Sequence, residues 1–368
     1  MPRSIYPLNL PMKASVSQRA PRLVALLAFA FATLSVSNLS AQNATVTTVP
    51  VGAVGVTIAA GTGTARALST VSFPLVEQAV IAGKATGIIT GVTANTLSNS
   101  TAGWTAGQLS TAAAPCLIQI TSGSASGRTF LVSTATASTA TTVTLDPEEA
   151  GLVDLTTLGI SAGVDTYRVL ACDTLSSIFG TPTSTGVLGA ATGQSANGDI
   201  VLILSGVSYR SYYYNTTSSQ WARVGPNTGS NNVAIRPDAM VIYNRLKNTA
   251  LGLTLTGEVP SVARKAIVKK SGLTVLANGW PAGLTLATSG IQSSTGWTKA
   301  TSTTSDTVQL LIGTSFQKFY HNGTNWRRVG PNTISDNVAI PVGSGVIISK
   351  LGSTAGSIAL SQSLPYSL

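Results

Sequence analysis

Two segments of the chain, 199–260 and 306–365, are copies of one pattern, and this duplication constrains the fold more than any other feature. The first opens DIVLILSGVSYRSYYYNTTSSQWARVGPNTGSNNVAI and the second DTVQLLIGTSFQKFYHNGTNWRRVGPNTISDNVAI. Val-Gly-Pro-Asn-Thr recurs intact at 224–228 and 329–333. Trp221 matches Trp326, Asn232 matches Asn337, and Val-Ala-Ile recurs at 233–235 and 338–340. The second copy is two residues shorter between its aromatic run and its tryptophan, where a turn absorbs the difference. Each copy then passes through Val-Ile (241–242, 346–347) into a closing run, 253–256 or 358–361. Apolar alternation broken by Gly/Asn turns makes such a unit a small β-sheet module used twice. An offset of about 105 residues exceeds solenoid periods, so two related modules are expected, not a continuous stack.

The rest of the chain agrees. Only 9% of its 368 residues are charged, against about 25% in an average soluble domain. Gly, Ser, Thr, Ala and Val take their place, and Thr and Val suit a pleated, half-buried surface. A coiled coil, a helical bundle and a basic nucleic-acid-binding tail are thereby excluded. After a low-complexity stretch at 44–63, strand-length runs lie at 116–121 (CLIQIT), 129–133 (TFLVS) and 141–145 (TTVTL), with a turn at 123–127. Two brief helices are expected. Asp146 caps the first, with Pro147 in its first position, and Asp173-Thr174 caps the second, 175–179, which Gly180 ends. The predicted fold is all-β: tandem sandwich- or barrel-like modules with an internal repeat and only short helices. Its parts are a signal peptide over 1–41, an N-terminal β domain over 42–180, a first repeat copy over 181–260 and a second over 261–368.

The signal is read from Lys13, Arg19 and Arg22 followed by the apolar run 23–36, too short to span a bilayer. Cleavage after Ala41 or Gln42 leaves 18 of the 22 bases against 12 acids. That surplus of six is no footprint of a nucleic-acid binder, and no integral membrane span is expected after cleavage. Export permits one disulfide between Cys116 and Cys172; two buried free thiols are the equal alternative.

Four segments carry a resemblance: Ser-Phe-Pro-Leu at 72–75, TSGSASGRT at 121–129, Asp-Thr-Tyr-Arg-Val at 165–169 leading to 174–180, and the repeated Tyr-Tyr…Trp module. In these the chain resembles an uncharacterised secreted family of paralogues in verrucomicrobial bacteria. Segment 306–365 looks like a duplication added beyond that family's pattern. The resemblance implies export and β-rich structure, and no activity.

Chemistry-bearing residues are few. His321 is the lone histidine and matches Tyr214 in the other copy, a position for any planar side chain. Ala125 sits where a nucleophile elbow needs serine, and no phosphate loop occurs. Two cysteines and one histidine cannot build a four-ligand zinc site, and no cofactor or metal is expected. Glu148, Glu149 and Asp154 form the one local acid cluster; Asp146, Glu149 and Asp154 match no calcium loop, and helix capping explains the glutamates better. Asp199 and Asp306 open the two copies, and a strand-entry role outweighs a ligand contact. Arg264-Lys265 and Lys269-Lys270 read as a lysine-blunted strand edge before an anion site.

The aromatics remain the candidate binding residues: Tyr212, Tyr214 and Trp221 in the first copy, Phe319 and Trp326 in the second. Flat rings stack on sugars and serve interfaces, but cross-strand packing, with Trp221 and Trp326 opposite their module's aromatic strand, is the favoured role. Alternation puts Tyr212 and Tyr214 on one face and Tyr213 on the other, so one face is expected to fill the core, with Tyr212 or Tyr214 exposed. The function expected is that of a secreted, non-catalytic cell-surface or matrix protein of a bacterium, exported by a Sec-type signal. Its partners would be extracellular glycans, other surface proteins or copies of itself, with no nucleic acid. A carbohydrate-binding protein using the aromatic strands is the alternative, and an extracellular glycan-active enzyme the least favoured.

Overall fold

The computed structural model describes residues 49–352, 354 and 356–367; the expected signal segment, 1–41, lies outside the described residues. Strands β1 (Val51–Ile58) and β2 (Ala67–Val71) open a first module. The chain then leaves it for β3 (Glu77–Gln78), β4 (Thr86–Ile88), β5 (Gly91–Val92), β6 (Thr96–Ser98), β7 (Cys116–Ile120), β8 (Thr129–Leu131), β9 (Thr142–Thr144), helix α1 (Pro147–Ala150) and β10 (Thr166–Ala171). It returns through β11 (Asp173–Thr174), helix α2 (Leu175–Phe179), β12 (Ile200–Ser205), β13 (Ser208–Asn215), β14 (Gln220–Arg223), β15 (Ala234–Ile235), β16 (Val241–Arg245) and β17 (Leu251–Glu258). A second module comprises β18 (Arg264–Lys269), β19 (Ser271–Ala277), β20 (Leu284–Thr285), β21 (Thr307–Ile312), β22 (Ser315–His321), β23 (Trp326–Arg328), β24 (Ala339–Ile340), β25 (Gly345–Leu351) and β26 (Ser357–Gln362). The described residues are all-β, with two short α-helices among them.

The two modules share one topology. The first sheet has the order β14-β13-β12-β16-β2 and the second β23-β22-β21-β25-β19. Each carries a two-stranded ribbon, β1-β17 or β18-β26, and a short pair, β11-β15 or β20-β24. The duplicated unit is therefore larger than the sequence showed. Segments 51–71 and 173–180, expected in the N-terminal domain, belong to the first module, so the boundary at 180 falls inside it. Between β19 and β20 the chain needs only residues 278–283; between β2 and β11 it carries a whole extra domain, 72–172. Insertion is tolerated because the ends of that domain meet: Glu77 pairs with Ala171.

The inserted domain is a small barrel. Hydrogen bonding runs β4-β10-β7-β8, crosses to β9 through the Val132–Leu145 bridge, and continues β9-β6-β5. Residues Ile89 and Thr90 join β5 back to β4, closing the ring around Ile118, Phe130, Val143 and Tyr167. Segments 121–129 and 165–169 meet here, Thr166 N donating to Ser122 Oγ at 2.8 Å. Gly123 (φ 70°) is required, since a Cβ would lie 2.2 Å from Asp165 Oδ1.

In each module the ribbon packs on the five-stranded sheet. Alternation makes this possible: Leu251, Leu253 and Leu255 are buried while Gly252, Thr254 and Thr256 face outward. The modules then meet through their sheets' other faces, with Met240 and Ile242 against Val275 and Ile347. The contact is reciprocal. Ser72 N donates to Gly343 O at 2.8 Å, and Ala277 N donates to Asp238 O at 3.0 Å. Register makes Ser72 equivalent to Ala277 and Asp238 equivalent to Gly343, so the same patch is used on both sides, as in a two-fold dimer.

The cysteines are free and buried. Cys116 pairs with Ala171, so Cys172, the next residue, points to the opposite face of that sheet. The disulfide alternative is thus excluded by strand alternation. Mass spectrometry of the alkylated native and unfolded protein is expected to show two thiols labelled only after unfolding; a mass lower by two hydrogens before reduction would contradict this geometry.

Candidate functional site

The five candidate aromatics are core residues. Tyr212 and Tyr214 share the inward face with Val201, Val241 and Tyr243, and Trp221 is fully buried beside them. Phe319 and Trp326 occupy the same places in the second module. The expectation that Tyr212 or Tyr214 is exposed is overturned: the ribbon covers the face they share. Tyr213, on the other face, is buried too.

Repeated residues serve repeated local needs. Trp221 meets Tyr214 edge-on at 6.1 Å, and Trp326 meets His321 at 5.5 Å, which explains why histidine replaces tyrosine there. His321 Nδ1 accepts from Gly323 N at 3.1 Å, and burial pushes its pKa down. The indole strand is fixed from behind: Trp221 N donates to Asn231 Oδ1 at 2.8 Å, Trp326 N to Asp336 Oδ1 at 2.7 Å. In the Val-Gly-Pro-Asn-Thr turns, Asn227 and Asn332 adopt φ of 56° and 57°, a left-handed conformation asparagine tolerates. Their side chains accept the hydroxyls of Tyr213 and Tyr320 at 2.7 and 2.6 Å.

Asp199 and Asp306 are buried ion-pair residues. Asp199 accepts from Arg245 Nη1 at 2.7 Å, Tyr243 Oη at 3.0 Å, Leu246 N at 2.8 Å and Leu188 N at 2.9 Å. Asp306 pairs with Lys350, the residue equivalent to Arg245, and accepts from Thr298 N at 2.7 Å and Leu351 N at 2.9 Å. The strand-entry role expected of them is present, together with a cation the sequence reading missed. Position 245/350 shows it: one base recurs three residues after the shared Val-Ile, as arginine and then lysine.

A cavity of about 310 Å³ lies between barrel and first module, lined by Glu148, Glu149, Arg210 and Arg236 among others. Asp146 caps α1 as expected, accepting from Glu148 N at 2.9 Å. The glutamates do more than serve the helix end. Glu148 accepts from Ser205 Oγ at 2.5 Å and from Gly206 N at 3.2 Å. Glu149 is buried, accepts from Leu131 N at 2.7 Å and pairs with Arg236, which also grips Asp238 through Nε and Nη2 at 3.0 and 2.9 Å. One guanidinium thus faces two carboxylates. Burial pushes Glu149 up to about 8 against the pull of Arg236. Asp154 instead caps its own turn at Thr156, so Glu148, Glu149 and Asp154 do not act as one cluster. Among the described residues no group of three metal-ligand side chains occurs.

Three of the four bases in the basic run, Arg264, Lys265 and Lys269, are engaged with neighbouring parts of the chain, and Lys270 is exposed. Arg264 is buried over the Trp280 ring at 5.4 Å and donates to Pro74 O at 2.9 Å, and burial lowers it to about 10. Lys265 reaches Ser124 O at 2.6 Å, and Lys269 reaches Gly206 O. Among the described residues no helix is long and apolar enough to cross a membrane. Comparison with family models, curated proteins and solved structures finds no match to the chain.

Three outcomes follow from these contacts. Asp199→Ala leaves a buried guanidinium unpaired and is expected to cost about 3–5 kcal/mol in urea unfolding. Tyr212→Ala and Tyr214→Ala are expected to destabilise by about 3–5 kcal/mol each, where a ligand-facing tyrosine would leave the midpoint unchanged. A carboxyl whose pKa rises on folding contributes most below its unfolded value and loses that contribution as pH climbs through its folded value. Glu149→Gln is therefore expected to flatten the decline in urea midpoint between pH 4.5 and about 8.

Proposed function

We propose that this chain is an exported, non-catalytic structural or interaction protein of a bacterial surface or extracellular matrix, acting through contacts made by its β modules. Membership in the verrucomicrobial family of secreted paralogues belongs to the same proposal. One observation carries it: the residues the two copies share are engaged in buried pairs and turns, so what was duplicated is a scaffold. Asp199 and Asp306, Tyr213 and Tyr320, and Trp221 and Trp326 all hold strands in register. Duplication of a scaffold multiplies surface and leaves its loops free to vary. The reciprocal patch between the modules supports the same reading, because the fold already recognises a second copy of itself. A carbohydrate-binding role would have to use surfaces other than the five buried rings.

Fractionation of cells expressing the native gene tests the proposal. The protein is expected in the medium or on the outer surface, with its N-terminus near residue 42, retained by protein contacts that high salt or denaturant releases. Cytosolic chain still carrying residues 1–41 would overturn it.

A further inference from the structure

The closing strand of each module has an unpartnered edge. Among the described residues its sheet partner in the first module is β1 alone. Glu258 turns its backbone away from β1, its N–H donating to Val76 O at 2.7 Å and its C=O accepting from Val76 N at 3.3 Å. Backbone groups alternate sides along a strand, so Thr256 and Thr254 aim theirs at the same edge. Among the described residues no backbone group meets them there, because the chain after Val76 swings away as β3 to pair with β10. A groove of about 280 Å³ occupies the gap, lined by Thr254, Thr256, Ser177, Asp173 and Glu77. The second module repeats it: a groove of about 600 Å³ lies beside β26, with Ala359, Ser361, Thr288 and Leu284 in the equivalent places.

The difference between the grooves is charge. Among the described residues no charged side chain lines the second one. In the first, Asp173 and Glu77 stand together, and neither belongs to any ion pair among the described residues. Burial, and then the charge of Glu77, pushes Asp173 up to about 6. Both carboxylates gain from an incoming cation. Added strands draw affinity from main-chain hydrogen bonds and selectivity from side-chain positions beside the edge. The open edge from Gly252 to Thr256 has room for about five residues at roughly 3.3 Å each.

We propose that the groove beside β17 takes an extended, lysine- or arginine-bearing segment of a partner protein as a third strand of the β1-β17 ribbon. The incoming backbone bonds Thr254 and Thr256, and its cation faces Asp173 and Glu77. This deepens the interaction-protein reading and rests on it.

The probe is a fluorescein-labelled nine-residue peptide alternating valine and threonine around one central lysine, titrated into the full chain and followed by anisotropy. Saturable binding is expected, weaker by about tenfold when the lysine is glutamate. Binding is expected to vanish when alternate peptide amides are N-methylated. The Asp173→Asn, Glu77→Gln double variant is expected to bind about tenfold more weakly with a thermal midpoint no lower than that of the unaltered chain. Hydrogen exchange on the unaltered chain supplies a readout independent of any variant: the peptide is expected to slow exchange at Thr254 and Thr256. Equal binding of lysine and glutamate peptides, no binding at millimolar peptide, or protection elsewhere would overturn the proposal. A chain exported and retained at the surface yet indifferent to the peptide sinks the groove and leaves the broader reading standing.

Discussion

A carboxylate buried at the entrance of the central strand, facing a cation at the end of its neighbour, is the constraint on which each module depends. Asp199 binds two separate stretches of chain: the approach at Leu188, and the neighbouring strand through Tyr243 and Arg245 with its exit at Leu246. Such a pair is expensive to desolvate, and its attraction roughly offsets that cost only when every lone pair is met. Its contribution is to register. Sliding β12 against β16 by one residue would strand an ion on each strand in an apolar core. The second module satisfies the same need with lysine, which lies 5.2 Å from the Trp297 ring, so the charge is held by an aromatic face as well.

Around these two fixed points the molecule is assembled by contacts between parts. The modules bury their outer sheet faces against each other, and the barrel is tied down by Glu149 to Arg236, Arg168 to Glu258 and Lys265 to Ser124. Ile267, on the ribbon of the second module, packs into the barrel's core cluster. The equivalent position in the first module is Gly55, which faces solvent. Identical frameworks thus present different surfaces, one covered by the barrel and one bare.

Much of this was legible from the sequence. Thr174 and Ser177 form the reciprocal cap of α2, and Gly180 ends it with φ 57°, as capping chemistry predicts. The runs at 116–121, 129–133 and 141–145 became β7, β8 and β9. A packing role for the aromatic strands was legible, but the burial of Tyr212 and Tyr214 in particular was not, because alternation assigns residues to faces without saying which face is covered. The cation partners of the aspartates were hidden by the exchange of arginine for lysine and by a separation of more than forty residues. The insertion was missed because 51–71 is built of Val, Gly, Ala and Thr and shows little likeness to 264–277. One signal could have disclosed it: Thr174-Leu-Ser-Ser177 matches Thr285-Leu-Ala-Thr288, far upstream of the obvious repeat. Both threonines bond the side chain three residues on.

The inserted barrel has a kinetic corollary. In the second module β18 and β26 are separated by some ninety residues of their own sheet, whereas β1 must wait for β17 while an entire foreign domain intervenes. Longer loops close more slowly and leave unpaired strands open to aggregation in the meantime. The two halves of the duplication, alike at equilibrium, therefore reach that equilibrium at different speeds. The leading strands of a nascent chain, rather than its last, are where assembly is most easily diverted.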